Sequence, residues 1–404
     1  MSKEGGPAAC APADLQVAVV PGLGGLAAAD WDGCANAPRA EPEAGRETHN
    51  PFVSHAFLSS LEEAGCVGGR SGWTPAHLAV TDGDGALLAA APAYLKAHSM
   101  GEYVFDGGWA DAFERDGGRY YTKLQVSVPF TPVTGPRLLV RPGEGEAAAR
   151  AHLIGGLRAL REQVGASSTH VTFLPGADAD ELKRHGYLLR TDQQFHWHDE
   201  GYGDFEGFLA ALAARKRKAI RRERRDALAA PLTVEWATGR DLTEARWDAF
   251  YKFYMDTGAR KWGRPYLNRR FFSLIGERMA DRILLVTALR DGRPVAGAIN
   301  FIGDVALYGR NWGCVEEHPF LHFELCYYQA IDFALSRGLK RVEAGAQGEH
   351  KLARGYRPVT TYSVHDIADP GLRRAIADYL SRERTYVAAA FGEYEEAVPF
   401  RNVV

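Results

Sequence analysis

The segment GAQGEHKLARGYRPV (345–359) places Gln347, Glu349, His350, Lys351 and Arg354 within a few residues of one another. Together they offer an amide, a carboxylate, an imidazole that titrates near neutral pH, and two cations. Such a set suits proton removal from a nucleophile combined with stabilisation of a developing oxyanion. The neighbouring glycines permit close backbone approach to a ligand, and strand ends in open α/β sheets are common ligand sites. The same composition also suits an ordinary exposed loop. A second constellation lies at 215–225, where Arg215, Lys216, Arg217, Lys218, Arg221, Arg222, Arg224 and Arg225 accompany a single acid, a local net charge of +7. Like charges one helical turn apart repel. The run therefore favours an anionic partner, whether RNA, a nucleotide-activated substrate or a coenzyme phosphate; a solvated surface helix is the competing reading.

Two weaker motifs carry less. GLGGLA, within VAVVPGLGGLAAADW (17–31), matches a dinucleotide-binding fingerprint, but no second strand ending in an acid follows it. HWH (196–198) puts two histidines on one side of a strand. A metal would need a further converging ligand, so no metal is assigned.

The 404 residues carry 46% hydrophobic and 25% charged residues with a formal net charge of −3, which excludes wholesale disorder. Five scattered cysteines without a paired ligand spacing exclude a disulfide scaffold and a structural zinc site. No apolar run approaches the roughly 20 residues of a bilayer span, and the N-terminus lacks a long apolar signal core. A reduced, cytoplasmic, soluble protein is expected.

The elements that must position these residues repeat. HLAVTDGDGALLAAAPAYLK (77–96) and LLVTALRDGRPVAGAINFIG (284–303) each read as strand, Asp-Gly turn, strand. Each is followed by a helix and a strand: 150–165 then 170–176 in the first half, and Leu321 to Leu335, a stop at Gly338, then 339–345 in the second. The first copy holds about 36 additional residues, assigned to an insertion at 98–137. The expected organisation is an α/β fold of two duplicated units, mixed central sheets flanked by helices. The units are 14–200 and 231–385, with a basic helix at the seam (201–230) and a C-terminal tail (386–404).

Several long motifs occur in order: HSMGEYVFDGGW (98–109), YYTKLQVSVPFTPVTGPR (120–137), AARKRKAIRRERR (213–225), RKWGRPYLNRRFF (260–272) and HFELCYYQAIDFALSRGLKRVEAGAQGEHKLARGY (322–356). They resemble the FemAB-like branch of the GNAT superfamily, members of which are often labelled peptidoglycan-biosynthesis proteins. The resemblance spans roughly 15–385 and implies tandem GNAT folds and acyl transfer to an amine. The second copy is also similar to Fem aminoacyltransferases, in which a strand leads into a glycine-containing loop and a lysine-containing segment; Lys351 falls on that lysine. GNAT enzymes that use acyl-CoA hold its pyrophosphate on a glycine-rich loop at a helix N-terminus. Here that place holds CVEEHPFLHFE (314–324), acidic and without glycine, and GEGEAAARAH (143–152) in the first copy does no better.

The resemblance thus implies an amide-forming acyltransferase with aminoacyl-tRNA as co-substrate and no other cofactor. Its partners would be tRNA and a small-molecule or peptidoglycan-precursor-like amine. An acyl-CoA N-acyltransferase and a non-enzymatic RNA-binding protein are the rivals. Lys351 would stabilise the oxyanion, with Glu349 or His350 as proton acceptor. Tyr103, Asp106, Trp109, Arg137, Tyr308, Gln347 and Arg354 would contact substrate, and the eight cations of 215–225 would hold phosphates.

Overall fold

The computed structural model describes residues 14–38, 47, 49–229, 231–261, 265–345 and 348–401. The first half contributes β1 (Gln16–Val20), β2 (Trp73–Pro75), β3 (His77–Thr81), β4 (Leu87–Ala91), β5 (Ala93–Lys96), β6 (Lys123–Val126), β7 (Leu139–Val140), β8 (Ser168–Leu174) and β9 (Leu188–His198). Its helices are α1 (Ala28–Ala35), α2 (His55–Glu63), α3 (Gly107–Arg115), α4 (Glu146–Gln163) and α5 (Gly176–Arg184). At the seam lie α6 (Phe205–Ala211) and α7 (Ala214–Ala227). The second half contributes β10 (Leu232–Ala237), β11 (Ile283–Arg290), β12 (Arg293–Ile302), β13 (Ala306–Cys314), β14 (Arg341–Glu343) and β15 (Arg357–Ile367). Around them pack α8 (Glu244–Lys261), α9 (Arg269–Arg278), α10 (Leu321–Phe323), α11 (Gln329–Arg337) and α12 (Pro370–Glu396); a π-helical turn, Glu324–Tyr328, joins α10 to α11.

Both Asp-Gly segments form hairpins. Asp291 and Gly292 take positive φ in the tight turn between β11 and β12, as a two-residue hairpin requires. Between β3 and β4 the turn is longer, and the Asp82 carboxylate accepts from the amides of Asp84 and Ala86. Pro92 then interrupts the strand, since it has no ladder donor. β4 stays in a four-stranded sheet ordered β1-β3-β4-β7, while β5 joins an eleven-stranded sheet. Gly338 ends α11 with a left-handed cap, the conformation for which glycine is favoured.

The large sheet runs β10-β11-β12-β13-β14-β9-β15-β8-β6-β5-β2, so the halves are interleaved. β9 of the first half pairs with β14 of the second, and β15 of the second pairs with β8 of the first. β9 and β15 pair with each other. Each half lends its last strand to its neighbour, so 14–200 and 231–385 mark order along the chain and are not separately complete sheets. The expected insertion, 98–137, also contains β6, which bonds in parallel to β8 inside the sheet, third from its β2 edge. The segment expected as a tail is helical as far as Glu396. Asp369 caps that helix at the Leu372 amide, with proline in its first turn. Among the described residues no helix is long and apolar enough to cross a membrane.

Candidate active site

Each half contains one parallel strand pair that separates at its C-terminal end: β6 with β8, and β13 with β14. The two openings differ in what fills them. In the first half, Arg137 is buried there and donates to four main-chain carbonyls. Its Nε reaches Thr172 at 2.9 Å, Nη2 reaches Val133 at 2.7 Å, and Nη1 reaches Gly135 and Pro136 at 3.0 and 3.2 Å. The Gly135 amide bonds to the Phe173 carbonyl at 3.0 Å. The chain has closed this opening with its own backbone.

The second opening holds side chains capable of chemistry. β13 and β14 pair only from Ala306↔Arg341 to Tyr308↔Glu343. The chain then leaves β14 through Gly345 and returns as a 3₁₀ turn, Glu349–Arg354. Lys351 points back from this turn; it is 1% exposed, and its Nζ donates to the Gly345 carbonyl at 2.8 Å. Burial pushes its ammonium down to about 7, and the nearby Arg310 adds to the effect. Arg310 comes from β13 where the β12–β13 register skips, and its Nη2 donates to the Phe130 carbonyl at 2.7 Å. From β9, His196 lies with Nε2 at 3.7 Å from the Glu343 carboxylate. Burial holds His196 well below its ordinary range and raises Glu343. Arg341 binds the other Glu343 oxygen at 2.8 Å, leaving Glu343 Oε2 buried without a hydrogen-bond partner. Asn300 on β12 is buried with neither amide atom bonded.

The other residues of the turn have different surroundings. His350 is exposed and shares a 2.8 Å hydrogen bond with the Tyr327 hydroxyl; partial burial, then Arg354 and Lys351, lower its affinity for a proton. Glu349 is exposed and accepts from the Tyr394 hydroxyl of α12 at 2.6 Å. Arg354 is buried and paired with Glu223, so it is held by the protein rather than presented to a substrate. Tyr308 is buried in the aromatic core beside Phe52 and donates to Glu47. Gln347 lies outside the described residues.

The first-half nominees do not assemble an open pocket. Asp106 is buried; it takes the Lys123 ammonium at 2.5 Å and the Tyr120 hydroxyl at 2.8 Å. Burial alone would raise its pKa, but Lys123 holds it well below the usual carboxylate range. Trp109 is buried, stacked on His170 and edge-on to His365. Tyr103 is the exception: half-buried, with φ of 59°, it hydrogen-bonds Arg310 and so stands at the second opening, apart from Asp106 and Trp109. With Arg137 bound to carbonyls, this region is a packed polar core.

The basic segment is two helices, broken at Leu212, which bridges to Phe400. α7 is less uniformly cationic in space than in sequence. Arg224 is turned inward, bonded to the buried Glu324 and to Asp332 at 2.9 and 2.7 Å, with its guanidinium 4.2 Å from the Phe205 ring. It is therefore removed from the phosphate-binding set. Arg221 pairs with Glu206, and Arg222 and Arg225 pair with Asp226. Arg215, Lys218, Arg221, Arg222 and Arg225 are exposed; Lys216 and Arg217 are half-buried. The helix packs on the π turn and on the Lys351 turn.

Where an acyl-CoA enzyme would bind pyrophosphate, Glu316 pairs with Arg290 through two 2.6 Å bonds and lies 3.2 Å from His318. A cavity of about 340 Å³ opens here, lined by Thr257, Trp312, Cys314, Glu316, Glu317, His318, Leu321 and His322. Among the described residues, no three His, Cys, Asp or Glu side chains gather to hold a metal ion.

The two halves thus repeat one unit, a hairpin followed by a helix and a pair of parallel strands that separate at their C-terminal ends. The chain belongs to the FemAB_like family, described as peptidoglycan biosynthesis/recognition, whose model matches residues 23–402. No curated protein sequence matches it. Among solved structures, it is similar to FemX at 12% identity, over 80% of this chain and 93% of that one, with a TM-score of 0.48. It is similar to the L-PGS of Bacillus licheniformis at 10% identity, covering 84% and 99% respectively, with a TM-score of 0.48. A tandem GNAT protein from the clavulanic acid biosynthesis pathway matches at 14% identity over 88% and 99%, with a TM-score of 0.45.

Sequence reasoning missed Arg310 and Glu343 as site residues and considered His196 only for metal. Arg310 sits at an irregularity that alternation does not reveal. The signal for Glu343 was a carboxylate at the end of the short strand that leads into the glycine loop.

Proposed function

We propose that the chain forms amide bonds at the β13/β14 opening, moving an aminoacyl group from tRNA to an amine of a small molecule or peptidoglycan precursor. The observation that carries this reading is Lys351, buried at the opening, with its ammonium beside the Gly345 carbonyl. The acceptor nitrogen attacks the donor ester carbonyl, the new C–N bond forms, and the C–O bond to the tRNA ribose breaks. Lys351 stabilises the intermediate oxyanion, a role typically worth about 3–4 kcal/mol. A proton passes from the attacking nitrogen to the departing ribose oxygen. His350, held toward its neutral form, suits this transfer better than Glu349, which is tied to Tyr394.

Two features support tRNA over acyl-CoA. α7, whose outer face carries the exposed cations, packs on the Lys351 turn, and the segment after β13 has no glycine where a pyrophosphate needs exposed amides. The test incubates the purified protein with a mixture of aminoacyl-tRNAs or with acyl-CoA, in the presence of candidate amines. Amine-dependent release of deacylated tRNA is expected; release of coenzyme A thiol would favour the acyl-CoA enzyme. RNA binding without turnover of either donor would favour a binding protein.

A further inference from the structure

Glu223, the one acid within 215–225, faces away from most of its cationic neighbours. Ile220, Glu223, Arg224 and Ala227 recur at the three- and four-residue spacing of one helical face, and that face of α7 is turned toward the protein. Ile220 and Ala227 are buried, and Arg224 is bonded to Glu324 and Asp332. Glu223 accepts from Arg354 Nη2 on both carboxylate oxygens, at 3.0 and 2.9 Å, and from the Tyr328 hydroxyl. Arg354 in turn donates Nη1 to the His350 carbonyl at 2.8 Å. Its guanidinium lies 3.5 Å from the centre of the Phe323 ring. The His350 carbonyl is part of the peptide bond to Lys351. Two non-covalent links, both charge-assisted or to a main-chain oxygen, therefore connect the basic helix to the residue at the opening.

We propose that Glu223 is a positioning residue: through Arg354 it fixes the Lys351 turn to α7, so that a donor whose phosphates engage the outer face of the helix meets Lys351 already in place. The inference rests on the acyl-transfer reading of that turn. A short 3₁₀ turn has few internal bonds, and a side chain held by such a turn is accurate only if neighbours lock it. The carboxylate is needed because it offers two anionic oxygens to Arg354. The inward direction of Glu223 also explains why one acid sits inside a run otherwise suited to phosphate.

The test compares Glu223→Gln, Glu223→Ala and Glu223→Asp with the full-length parent. In Glu223→Ala, kcat is expected to fall tenfold or more, with a smaller loss in Glu223→Gln. Donor KM and its salt dependence should stay within about twofold, because the exposed cations are untouched. The pH at which kcat declines should rise, since a loosened turn admits water to Lys351. Glu223→Asp should recover part of the kcat lost in Glu223→Ala, because it keeps a carboxylate for Arg354 and leaves the Arg354 bond to the His350 carbonyl intact. The inference is overturned if Glu223→Gln and Glu223→Ala turn over at the parental rate. It is equally overturned if kcat falls only in step with thermal stability, with an unmoved pH profile and no recovery in Glu223→Asp. If Lys351→Ala itself keeps parental kcat, the acyl-transfer reading fails whatever Glu223 does. If Lys351→Ala is inactive while the Glu223 variants are parental, the positioning role alone fails.

Discussion

Arg137 donates through Nε to the Thr172 carbonyl at 2.9 Å, closing in the first half the kind of opening that Lys351 occupies in the second. In the first half the space between the separating strands is filled by main chain, and in the second it holds buried ionisable side chains. The interleaved strands make this division workable. β9 brings His196 to Glu343 at the second opening, so the first half supplies part of the site's wall even though its own opening is filled.

Arg137→Ala should therefore behave as a structural lesion. It would leave buried carbonyls without their donor, at a cost of roughly 2–4 kcal/mol. Arg137→Lys should recover little, because an ammonium cannot reproduce the planar fork. Urea denaturation would show the loss, while acceptor KM in the surviving folded fraction should remain parental. A selective rise in acceptor KM with unchanged stability would instead return Arg137 to the substrate pocket.

α7 predicts a division between its two faces. Replacing Arg215, Lys218, Arg221 and Arg222 with alanine should weaken tRNA binding and flatten its dependence on salt, since fewer counterions are released. Stability should change little, because these side chains are exposed. Arg224→Ala should do the reverse, leaving the buried Glu324 without its cation at a cost on the order of 3 kcal/mol. Filter binding at several salt concentrations, alongside thermal melts, separates the two classes.

Local signals carried much of the fold. Asp-Gly pairs marked both hairpins, Gly338 marked a helix end, and the apolar spacing from Leu321 to Leu335 marked the helix behind the opening. The exchange of β9 and β15 was not legible, because pairing between strands far apart in sequence leaves no local pattern. β6 was hidden inside an apparent insertion, being four residues long and flanked by aromatic and proline-rich chain. Residue types drew attention to the 345–359 segment and the family resemblance singled out Lys351, whereas the surroundings that separate it from Arg354 were not legible. A buried arginine paired with Glu223 and an exposed one awaiting substrate are spelled alike. The single acid in the basic run was visible throughout, and only the docking of α7 gives it a partner.

The acidic stretch after β13 predicts donor discrimination. Coenzyme A and acyl-CoA should not raise the melting temperature at millimolar concentration, because the stretch after β13 lacks the glycine loop whose amides would hold the pyrophosphate. Aminoacyl-tRNA, if bound only by the folded protein, should raise it in proportion to the logarithm of its concentration. Saturable stabilisation by coenzyme A would contradict the assignment of the donor.

Lys351 permits a sharper test, because one group governs both rate and stability. An oxyanion donor must be protonated, and burial pushes this ammonium down to about 7. kcat/KM should therefore decline as pH rises through about 7, unlike a rate dependent on an ordinary lysine near 10.4. Stability runs the other way. Between about pH 7 and 10 the unfolded chain carries the proton while the folded protein has released it, so the unfolded state binds more protons and this group's contribution to stability rises with pH. Lys351→Met removes the buried charge at similar volume, so at pH 6 it should melt higher than the parent, with the difference shrinking toward pH 9. The same variant should lose about 100-fold or more in kcat, equivalent to about 2.7 kcal/mol, with donor KM nearly unchanged. A raised KM at parental kcat would show that Lys351 grips the bound substrate without acting in the transition state.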